Sequence, residues 1–419
     1  MKVLVIGSGG REHAIVTKIA ESSMVDKIYC APGNGGIAEL AECVGIKAED
    51  VGGLLNFALS KAIDLTVVGP EVPLSMGVVD RFESRGLRIF GPCKKGAMLE
   101  SSKVFSKDFM IRNNIPTAAY KVYYDPEKAK KEIDNFGYPA VIKADGLAAG
   151  KGVIIAQNKE EACTAIDEIL SEGKFGEAGS RIVVEEFLSG YEASILAFVD
   201  GRIAIPMVSA QDYKRALDND GGLNTGGMGA VSPAFHYDAK TAEIVEKEII
   251  QRTVDALIDE GIRYKGVLYF GIMITQKGPK LLEYNARFGD PETEVVLPRL
   301  ETDLVEIMNA VIDEKLDTLS IRWKEQQAVC VVMASGGYPG AYAVGFEINS
   351  IEKAAKEAGV KVFHAGTKKS EGKIVTAGGR VLVVSALDPD LEQAREKVYR
   401  AVKSIEFEKV HYRSDIGKK

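Results

Sequence analysis

The segment LLEYNARFGDPE, residues 281–292, joins an apolar strand pattern to a series of polar and charged side chains. Side chains alternate between the two faces of a strand, so Glu283 and Asn285 are predicted to share one face. Leu282 and Tyr284 are predicted to pack on the opposite face. Two hard oxygen ligands on one face suit Mg²⁺, which takes few protein ligands and leaves positions for phosphate oxygens. Arg287 follows, and its planar guanidinium can clamp a carboxylate or a γ-phosphoryl group. A solvated polar strand face is the alternative interpretation.

A glycine-rich segment lies upstream and reads ADGLAAGKG, residues 144–152. It is not a P-loop, because that motif needs one more spacer residue and a hydroxyl residue after the lysine. The following run, Val153–Ala156, is apolar and extended, so we predict a strand-loop-strand hairpin. Such a hairpin can lie as a flap over a triphosphate, with Gly150 and Gly152 in the flap. Lys143 ends the preceding strand and can reach the phosphates as a point charge. An ordinary hairpin with a flexible tip is the alternative.

A third polar run, VVEEFLSGYE at residues 183–192, ends an apolar strand with acidic residues and a turn. A segment of this kind between two lobes can bond an adenine through backbone groups near Leu188. Glu192 can accept the ribose hydroxyls, and Glu185 belongs to the same predicted nucleotide site. Acidic residues that only keep a strand end soluble are the alternative.

The chain opens with a short apolar strand, residues 2–6, followed by GSGGREH at residues 7–13. Glu12 stands where the dinucleotide fingerprint requires its third glycine, and no acidic residue ends the second strand, so NAD binding is disfavoured. A glycine turn at a helix N-terminus remains. The N–H groups of Gly9 and Gly10 and the charge of Arg11 there suit a phosphate. A tight turn without a ligand is the alternative.

Length and composition limit the possible classes of protein. A chain of 419 residues predicts about three domains. Its 53 basic and 60 acidic residues are interspersed, which does not indicate a nucleic-acid or membrane surface. The five cysteines lie far apart without a C-x-x-C pair, which favours a reducing, cytoplasmic compartment. No apolar run approaches the roughly 18 residues of a membrane span.

The order of strand and helix patterns predicts the domain organisation. Alternating β and α patterns over residues 1–101 predict a doubly wound parallel sheet. Residues 102–325 are predicted to form a second domain, in which 117–190 is a small α+β unit that serves as a mobile lid. Residues 326–419 are predicted to form a small C-terminal α+β domain. Within the second domain, Asp200-Gly201 predicts a hairpin with a type I′ turn. Residues 211–233 read as a long polar loop.

Three features, in their order along the chain, resemble those of the ATP-grasp superfamily: the lysine before a glycine flap, the E-E-x-L-x-G-x-E run, and the E-x-N strand. More closely, the chain resembles the glycinamide ribonucleotide synthetase family over essentially its whole length. The matching motifs are GSGGREH (7–13), GPE (69–71), QDYKR (211–215), NTGGMG (224–229), RFGDPE (287–292), YPG (338–340), HAGT (364–367) and YRSDIG (412–417). The resemblance implies an ATP-grasp fold for the second domain and a single-function enzyme without a transformylase or cyclo-ligase extension.

The resemblance also implies a reaction. The enzyme would use ATP to join glycine to 5-phosphoribosylamine through a glycyl phosphate, releasing ADP and phosphate, in purine biosynthesis. Phosphoryl transfer needs positioning and charge neutralisation rather than a nucleophilic residue. Glu283 and Asn285 are accordingly predicted to hold Mg²⁺ or Mn²⁺ at the β- and γ-phosphates, with Lys103 on the α-phosphate side. The residues predicted to be catalytic are Lys143, Arg287 and Lys214.

The substrates are assigned by the same resemblance and by the rule that open parallel sheets bind ligands at the carboxyl ends of their strands. Gly9, Gly10 and Arg11 are predicted to hold the 5-phosphate of phosphoribosylamine, with Glu71 near the ribose. Asp212 and Asp290 are predicted partners of the glycine ammonium. We expect a monomer or a weak dimer, with no nucleic-acid or membrane partner.

Three other functions stay open on the sequence alone. The first is a related ATP-grasp carboxylase of biotin or of a purine intermediate, which would need bicarbonate. The second is a nicotinamide-dependent oxidoreductase built on the first domain, and the third is a nucleotide-binding protein without turnover. The number of metal ions also stays open, because many ATP-grasp proteins carry another acidic ligand on the preceding strand and residues 267–274 contain none.

Overall fold

A computed structural model of the protein describes residues 1–147, 152–174 and 176–418. The tip of the predicted flap, including Gly150, lies outside the described residues. Within the described ranges, no helix is long and apolar enough to cross a membrane.

The first hundred residues form a parallel five-stranded sheet of order β3-β2-β1-β4-β5. Its elements are β1 (Lys2–Gly7), α1 (Gly10–Ala20), β2 (Lys27–Pro32), β3 (Glu42–Cys43), α2 (Val51–Lys61), β4 (Leu65–Val68), α3 (Glu71–Ser75), α4 (Val78–Glu83), β5 (Ile89–Phe90) and α5 (Lys94–Ser101). Alternate residues of β1 enter two different cores, so helices cover both faces of the sheet. The predicted doubly wound sheet is therefore confirmed. Its strand order reverses between β1 and β4, and the crevice at their carboxyl ends is where such sheets bind ligands.

The next helix, α6 (Lys103–Arg112), leads into a small antiparallel lobe, and Ser102 caps it by accepting the Phe105 N–H. The lobe has the sheet order β6-β9-β7-β8. Its elements are β6 (Tyr120–Tyr123), α7 (Pro126–Glu132), β7 (Ala140–Ala144), β8 (Val153–Ala156), α8 (Lys159–Ile166) and β9 (Ile182–Glu186). Lys143 on β7 pairs with Val153 on β8, which confirms the predicted strand-loop-strand hairpin.

A second lobe contains an antiparallel sheet of order β11-β10-β16-β17. Its elements are β10 (Tyr191–Val199), β11 (Ala204–Pro206), α9 (Ala239–Val245), α10 (Arg252–Asp259), β16 (Gly266–Thr275), β17 (Gly278–Asn285), α11 (Thr293–Val296) and α12 (Leu304–Ile312). A π-helical turn, Glu246–Gln251, joins α9 to α10, so the chain between them stays helical.

The predicted hairpin between β10 and β11 is present, but its turn is not type I′. Val199 pairs with Ala204, so the turn holds four residues. Gly201 takes a positive φ of 93°. The carboxylate of Asp200 instead accepts the N–H groups of Arg202 and Ile203, both at 2.9 Å. The Asp200 side chain thus stabilises the turn by hydrogen bonds to the backbone of the same turn. These bonds take the place of the type I′ geometry that we predicted.

The predicted loop over residues 211–233 is wrong, because the segment forms four short strands. They are β12 (Gln211–Asp212), β13 (Arg215–Leu217), β14 (Gly221–Asn224) and β15 (Gly229–Ser232). β13 and β14 form a hairpin of their own, while β12 and β15 extend the C-terminal sheet, whose order is β12-β15-β18-β22-β19. Strands this short and polar lack the alternation of apolar residues from which a strand is predicted in a sequence.

The C-terminal part of the chain completes this sheet and packs one long helix against it. Its elements are β18 (Gln327–Ser335), α13 (Ile351–Ala355), β19 (Val360–His364), β20 (Thr367–Ser370), β21 (Lys373–Thr376), β22 (Arg380–Asp388), α14 (Leu391–Ser404) and β23 (Val410–His411). The sheet and α14 share one apolar core. The predicted α+β character of this domain is confirmed.

Candidate active site

Glu283 and Asn285, the two predicted metal ligands, lie at the end of β17 opposite Gly271 and Tyr269 of β16. Burial opposes the ionisation of Glu283, but the charges of Lys214 and Lys143 outweigh it and keep its pKa below the usual value. The carboxylate is therefore ionised at neutral pH. A carboxylate and an amide oxygen are hard ligands, and the surrounding lysines supply the positive charge that a triphosphate needs. These residues fit a divalent cation shared with a nucleotide.

A β-bulge changes the predicted pattern of apolar residues on β17. Gly271 pairs with Glu283 while Ile272 pairs with Leu281, so Leu282 is the extra residue of the bulge. Leu281, not Leu282, lies in the core beside Tyr284. The prediction that Leu282 shares the face of Tyr284 is wrong, because the bulge turns it out of the alternation.

Leu282 instead belongs to a small apolar cluster between the two lobes, with Ala118, Leu188 and Met273. The predicted adenine residue Leu188 is therefore among apolar neighbours, as a purine base requires. A Cβ at Gly190 would lie 2.2 Å from the carbonyl oxygen of Ile274. Only glycine lets the turn after Leu188 lie against β16.

Glu185 is a buried ion-pair partner of two lysines. Its carboxylate lies 2.8 Å from Lys143 Nζ and 2.9 Å from Lys107 Nζ, and all three side chains are almost fully buried. Lys107 also donates to Thr117 Oγ1 at 2.8 Å. Burial lowers the pKa of Lys107 to about 8, although Glu185 opposes that shift. Glu185 thus fixes the position of the predicted phosphate-binding Lys143.

Lys107 was not among the site residues predicted from the sequence. It follows Lys103 by four residues on α6, so both side chains lie on one face of the helix, and this spacing was an available signal. The partner carboxylate, 78 residues further along the chain, has no sequence signal of its own.

The base of the predicted flap is bonded to α6. Lys103 Nζ donates to the carbonyl of Gly146 at 2.8 Å. The carboxylate of Asp145 accepts the Val104 N–H at 3.0 Å and lies 2.6 Å from Arg181 Nε. Burial lowers the pKa of Lys103, although Glu283 opposes that shift. Both predicted phosphate lysines, at positions 103 and 143, therefore lie near the same carboxylate, Glu283.

An acidic pocket lies beside the lysines. Burial raises the pKa of Asp212 to about 7, with Lys214 opposing the shift and Glu292 adding to it. Glu292 is buried and accepts a hydrogen bond from Ser194 Oγ at 3.0 Å. Lys214 forms an ion pair with Glu192, the predicted ribose ligand. Glu292 was not among the predicted site residues, although it ends the RFGDPE motif.

The predicted substrate residues of the first domain meet the second domain at Arg287. Its guanidinium lies 2.7 Å from Glu100 and 3.5 Å from Glu71. Arg11, which is buried, donates to the carbonyl of Phe288 at 3.2 Å. Arg287 also contributes to the low pKa of Glu283, so the predicted nucleotide and substrate residues are electrostatically connected through this side chain.

The predicted glycine donors of the first turn are only partly available. Gly9 N–H donates to the carboxylate of Glu12 at 2.5 Å, and Ser8 N–H donates to it at 3.2 Å. A Cβ at Gly69 would lie 2.1 Å from Glu12 Oε1, so the backbone closes around this side chain. Glu12 in the third-glycine position is thus the cap of α1. A phosphate at this turn would rely on Gly10 and Arg11 unless it displaced Glu12.

Asp290 contacts the C-terminal domain. Its carboxylate lies 3.0 Å from Arg380 Nη1, which also donates to the carbonyl of Gly226 at 2.6 Å. Close by, the side-chain oxygens of the buried Glu294 have no hydrogen-bond partner among the described residues. Burial, followed by the negative charge of Asp290, raises the pKa of Glu294 well above the usual value.

A lobe with a lysine and a glycine hairpin, facing a lobe whose last strand presents a carboxylate and an amide, defines an ATP-grasp enzyme. Models of three domains match the chain: "Phosphoribosylglycinamide synthetase, N domain" over residues 1–100, its "ATP-grasp (A) domain" over 101–293, and its "C domain" over 328–419. The chain belongs to the phosphoribosylglycinamide synthetase family, which confirms the predicted family and fold.

Individual relatives agree with this assignment. The phosphoribosylamine–glycine ligase of Caldanaerobacter subterraneus subsp. tengcongensis is 52% identical over 417 residues, covering 100% of this chain and 99% of the relative. The crystal structure of phosphoribosylamine–glycine ligase from Thermotoga maritima is 35% identical, with a TM-score of 0.85, covering 99% of this chain and 100% of that one. The biotin carboxylase domain of the Hydrogenobacter thermophilus 2-oxoglutarate carboxylase shares the fold, with a TM-score of 0.76 at 18% identity, covering 98% of this chain and 91% of that one.

The ion-pair arrangement around Glu185 makes a prediction about stability. Glu185→Gln leaves two buried lysines without their counter-charge, and we expect the free energy of unfolding to fall by about 3 kcal/mol. The neighbouring Glu186→Gln is the matched control, because Glu186 pairs with Lys280 at the partly exposed end of the same strand. Its loss should be less than about 1 kcal/mol. Urea denaturation of both variants measures the difference, and equal losses would contradict the assigned role of Glu185.

Proposed function

We propose that the chain joins glycine to 5-phosphoribosylamine at the expense of ATP, giving glycinamide ribonucleotide, ADP and phosphate in purine biosynthesis. The observation that carries the proposal is one half-buried carboxylate, Glu283, among three lysines and Arg287, in a chain of the phosphoribosylglycinamide synthetase family. The two phosphoribosylamine–glycine ligases named above act on this pair of substrates according to their names. The alternative function, that of a related ATP-grasp carboxylase, is disfavoured, because the biotin carboxylase domain named above shares only its fold with this chain.

The chemistry begins with activation of the glycine carboxylate. A carboxylate acylates an amine poorly because oxide is a poor leaving group, and phosphorylation supplies a better one. Glu283 and Asn285 would hold Mg²⁺ or Mn²⁺, which would supply positive charge to neutralise the triphosphate. Lys143 and Lys103 approach the phosphates from the small lobe and from α6. Arg287 holds the transferring group or the glycine carboxylate with its planar fork.

The nucleotide lies between the lobes. The apolar cluster of Leu188, Met273, Ala118 and Leu282 receives the adenine. Glu192 lies at the start of β10, where it reaches the ribose, and its ion pair with Lys214 brings that lysine to the nucleotide. Residues 117–190 form the lid, which excludes water from the acyl phosphate because this intermediate hydrolyses readily.

Glycine binds in the acidic pocket. Its ammonium group lies between Asp212 and Glu292, while Asp290, paired with Arg380, contributes further negative charge. A buried cation needs paired carboxylates, and these side chains satisfy that need. The carboxylate of glycine then points towards Lys214 and Arg287. The geometry that supports this step is the bond between Glu292 and Ser194, which fixes the carboxylate in place.

Phosphoribosylamine occupies the crevice of the first domain. Gly10 and Arg11 hold its 5-phosphate and Glu71 its ribose, with Gly9 at the edge of the same turn. Its amine nitrogen attacks the acyl carbon, the bond from that carbon to the phosphate oxygen breaks, and phosphate leaves as the amine loses a proton. The chain acts on small molecules in the cytoplasm, as a monomer or weak dimer, without nucleic-acid or membrane partners.

Product release under substrate omission tests the reaction. We expect ADP to form with ATP, Mg²⁺, glycine and freshly prepared phosphoribosylamine, and to fall to background when either the amino acid or the amine is left out. Bicarbonate in place of glycine should not restore it. The measurement is a coupled assay for ADP. Bicarbonate-dependent ADP release without glycine would instead identify a carboxylase.

The acidic pocket makes a second prediction. Glu292→Gln keeps the shape of the side chain and its bond to Ser194 but removes the charge that faces the glycine ammonium. A hydrogen bond to a charged group contributes about 1.5–3 kcal/mol, so KM for glycine should rise at least about tenfold. KM for ATP should stay within about twofold of the wild-type value. Glu301→Gln, on an exposed residue, is the control, and an unchanged KM for glycine in the Glu292 variant would remove it from this role.

A further inference from the structure

We propose that Arg413, near the end of the chain, is a positioning residue for Lys214. The inference rests on the proposed function, in which Lys214 lies at the nucleotide and faces the glycine carboxylate that accepts the phosphoryl group. Arg413 does not contact the nucleotide side itself. It acts through the two neighbours of Lys214, by the backbone carbonyl of Arg215 and the side-chain ring of Tyr213.

One guanidinium group holds both neighbours of Lys214. Arg413 Nη1 donates to the carbonyl of Arg215 at 3.1 Å. The centre of the same guanidinium lies 5.2 Å from the ring centroid of Tyr213. The side chain of Arg413 is 1% exposed, so these contacts are shielded from water. A shift of this one side chain would therefore move the backbone from which Lys214 extends.

The surrounding chain end, residues 411–417, contacts the β13–β14 hairpin at several further points. Arg413 Nη1 lies 2.8 Å from Asp220 Oδ1. Asp415 accepts the Asn219 N–H at 2.8 Å, and Asp218 accepts the Ser414 N–H at 2.8 Å. The hairpin that follows Lys214 is thus bonded by its backbone and its carboxylates to the last residues of the chain.

The hairpin needs this support. Within the part of the chain that the structure describes, its two strands pair only with each other, and a two-stranded hairpin alone is marginally stable in water. Two of its apolar side chains, Leu217 and Leu223, are 51% and 67% exposed, so they contribute little burial. The polar contacts with residues 411–417 therefore determine where the hairpin lies. They also support the position of Lys214, which extends from the segment between β12 and the hairpin and whose own carbonyl accepts the Thr225 N–H at 2.8 Å.

An arginine is required for this arrangement. Its guanidinium donates in several directions from one plane, and Arg413 uses them for Asp415, Asp220 and the Arg215 carbonyl together. Lysine has one nitrogen and cannot occupy all these positions or stack in the same way. A misplacement of about 1 Å in a group that acts on a transferring phosphate can cost roughly a hundredfold in rate.

The test compares Arg413→Lys with Arg395→Lys in the full-length chain. Arg395 is a matched control, because it donates to the carbonyls of Ile416 and Ser414 at 3.0 and 3.2 Å and stacks on Tyr399 at 5.1 Å. It contacts the same chain end without contacting the β13–β14 hairpin. We expect Arg413→Lys to lower kcat at least about tenfold, with KM for ATP and for glycine within about twofold. Arg395→Lys should keep kcat within about twofold of the wild type.

Thermal denaturation of both variants separates positioning from folding. Comparable melting temperatures with a loss of kcat confined to Arg413→Lys support the proposal. A wild-type kcat in Arg413→Lys, or equal losses in both variants, would overturn it. If Arg413→Lys does not fold, Asp220→Asn decides, because Asp220 is exposed: kcat should fall at least about threefold, and an unchanged kcat overturns the proposal. A wild-type chain that is inactive with glycine and phosphoribosylamine would instead refute the proposed function.

Discussion

Glu283, a half-buried carboxylate, supplies negative charge near cations that come from three separate parts of the chain. Lys103 begins α6, Lys143 lies on the small lobe, and Lys214 follows an edge strand of the C-terminal sheet. Each lysine also has a partner of its own, because Lys143 pairs with Glu185, Lys214 pairs with Glu192, and Lys103 donates to the Gly146 carbonyl. Glu283 is the carboxylate whose charge all three lysines share, so the predicted nucleotide site centres on a single side chain of β17.

The C-terminal domain belongs to the same arrangement. Its sheet includes β12, which carries Asp212, and β15, which follows the glycine-rich turn at residues 226 and 227. A Cβ at Gly227 would lie 2.4 Å from Pro291 Cδ, so this turn fits only as glycine against the segment that carries Asp290 and Glu292. Three regions of the chain thus enclose the acidic pocket, and none of them forms it alone.

The sequence predicted those features that have a local period or spacing. The alternation in β17 indicated Glu283 and Asn285, and the extended run after the glycine segment indicated a hairpin instead of a P-loop. Features that depend on distant partners were not predictable. Glu185 pairs with Lys107, which is far away in the sequence, so no local spacing indicates the pair. Glu12 interrupts the dinucleotide fingerprint in the sequence, and only the structure shows that the backbone at Gly69 closes around its side chain. Leu281 and Leu282 are equally apolar, so no sequence pattern indicates which of them is the extra residue of the bulge.

The position of the metal ion tests the central claim most directly. A crystal structure of the chain with Mg²⁺ and a non-hydrolysable ATP analogue should place the ion about 2.1 Å from an oxygen of Glu283 and from Oδ1 of Asn285, with phosphate oxygens in the remaining positions. Lys143 Nζ should lie within hydrogen-bond distance of a phosphate oxygen. An ion bound to other residues, or a triphosphate bound away from β17, would contradict the account.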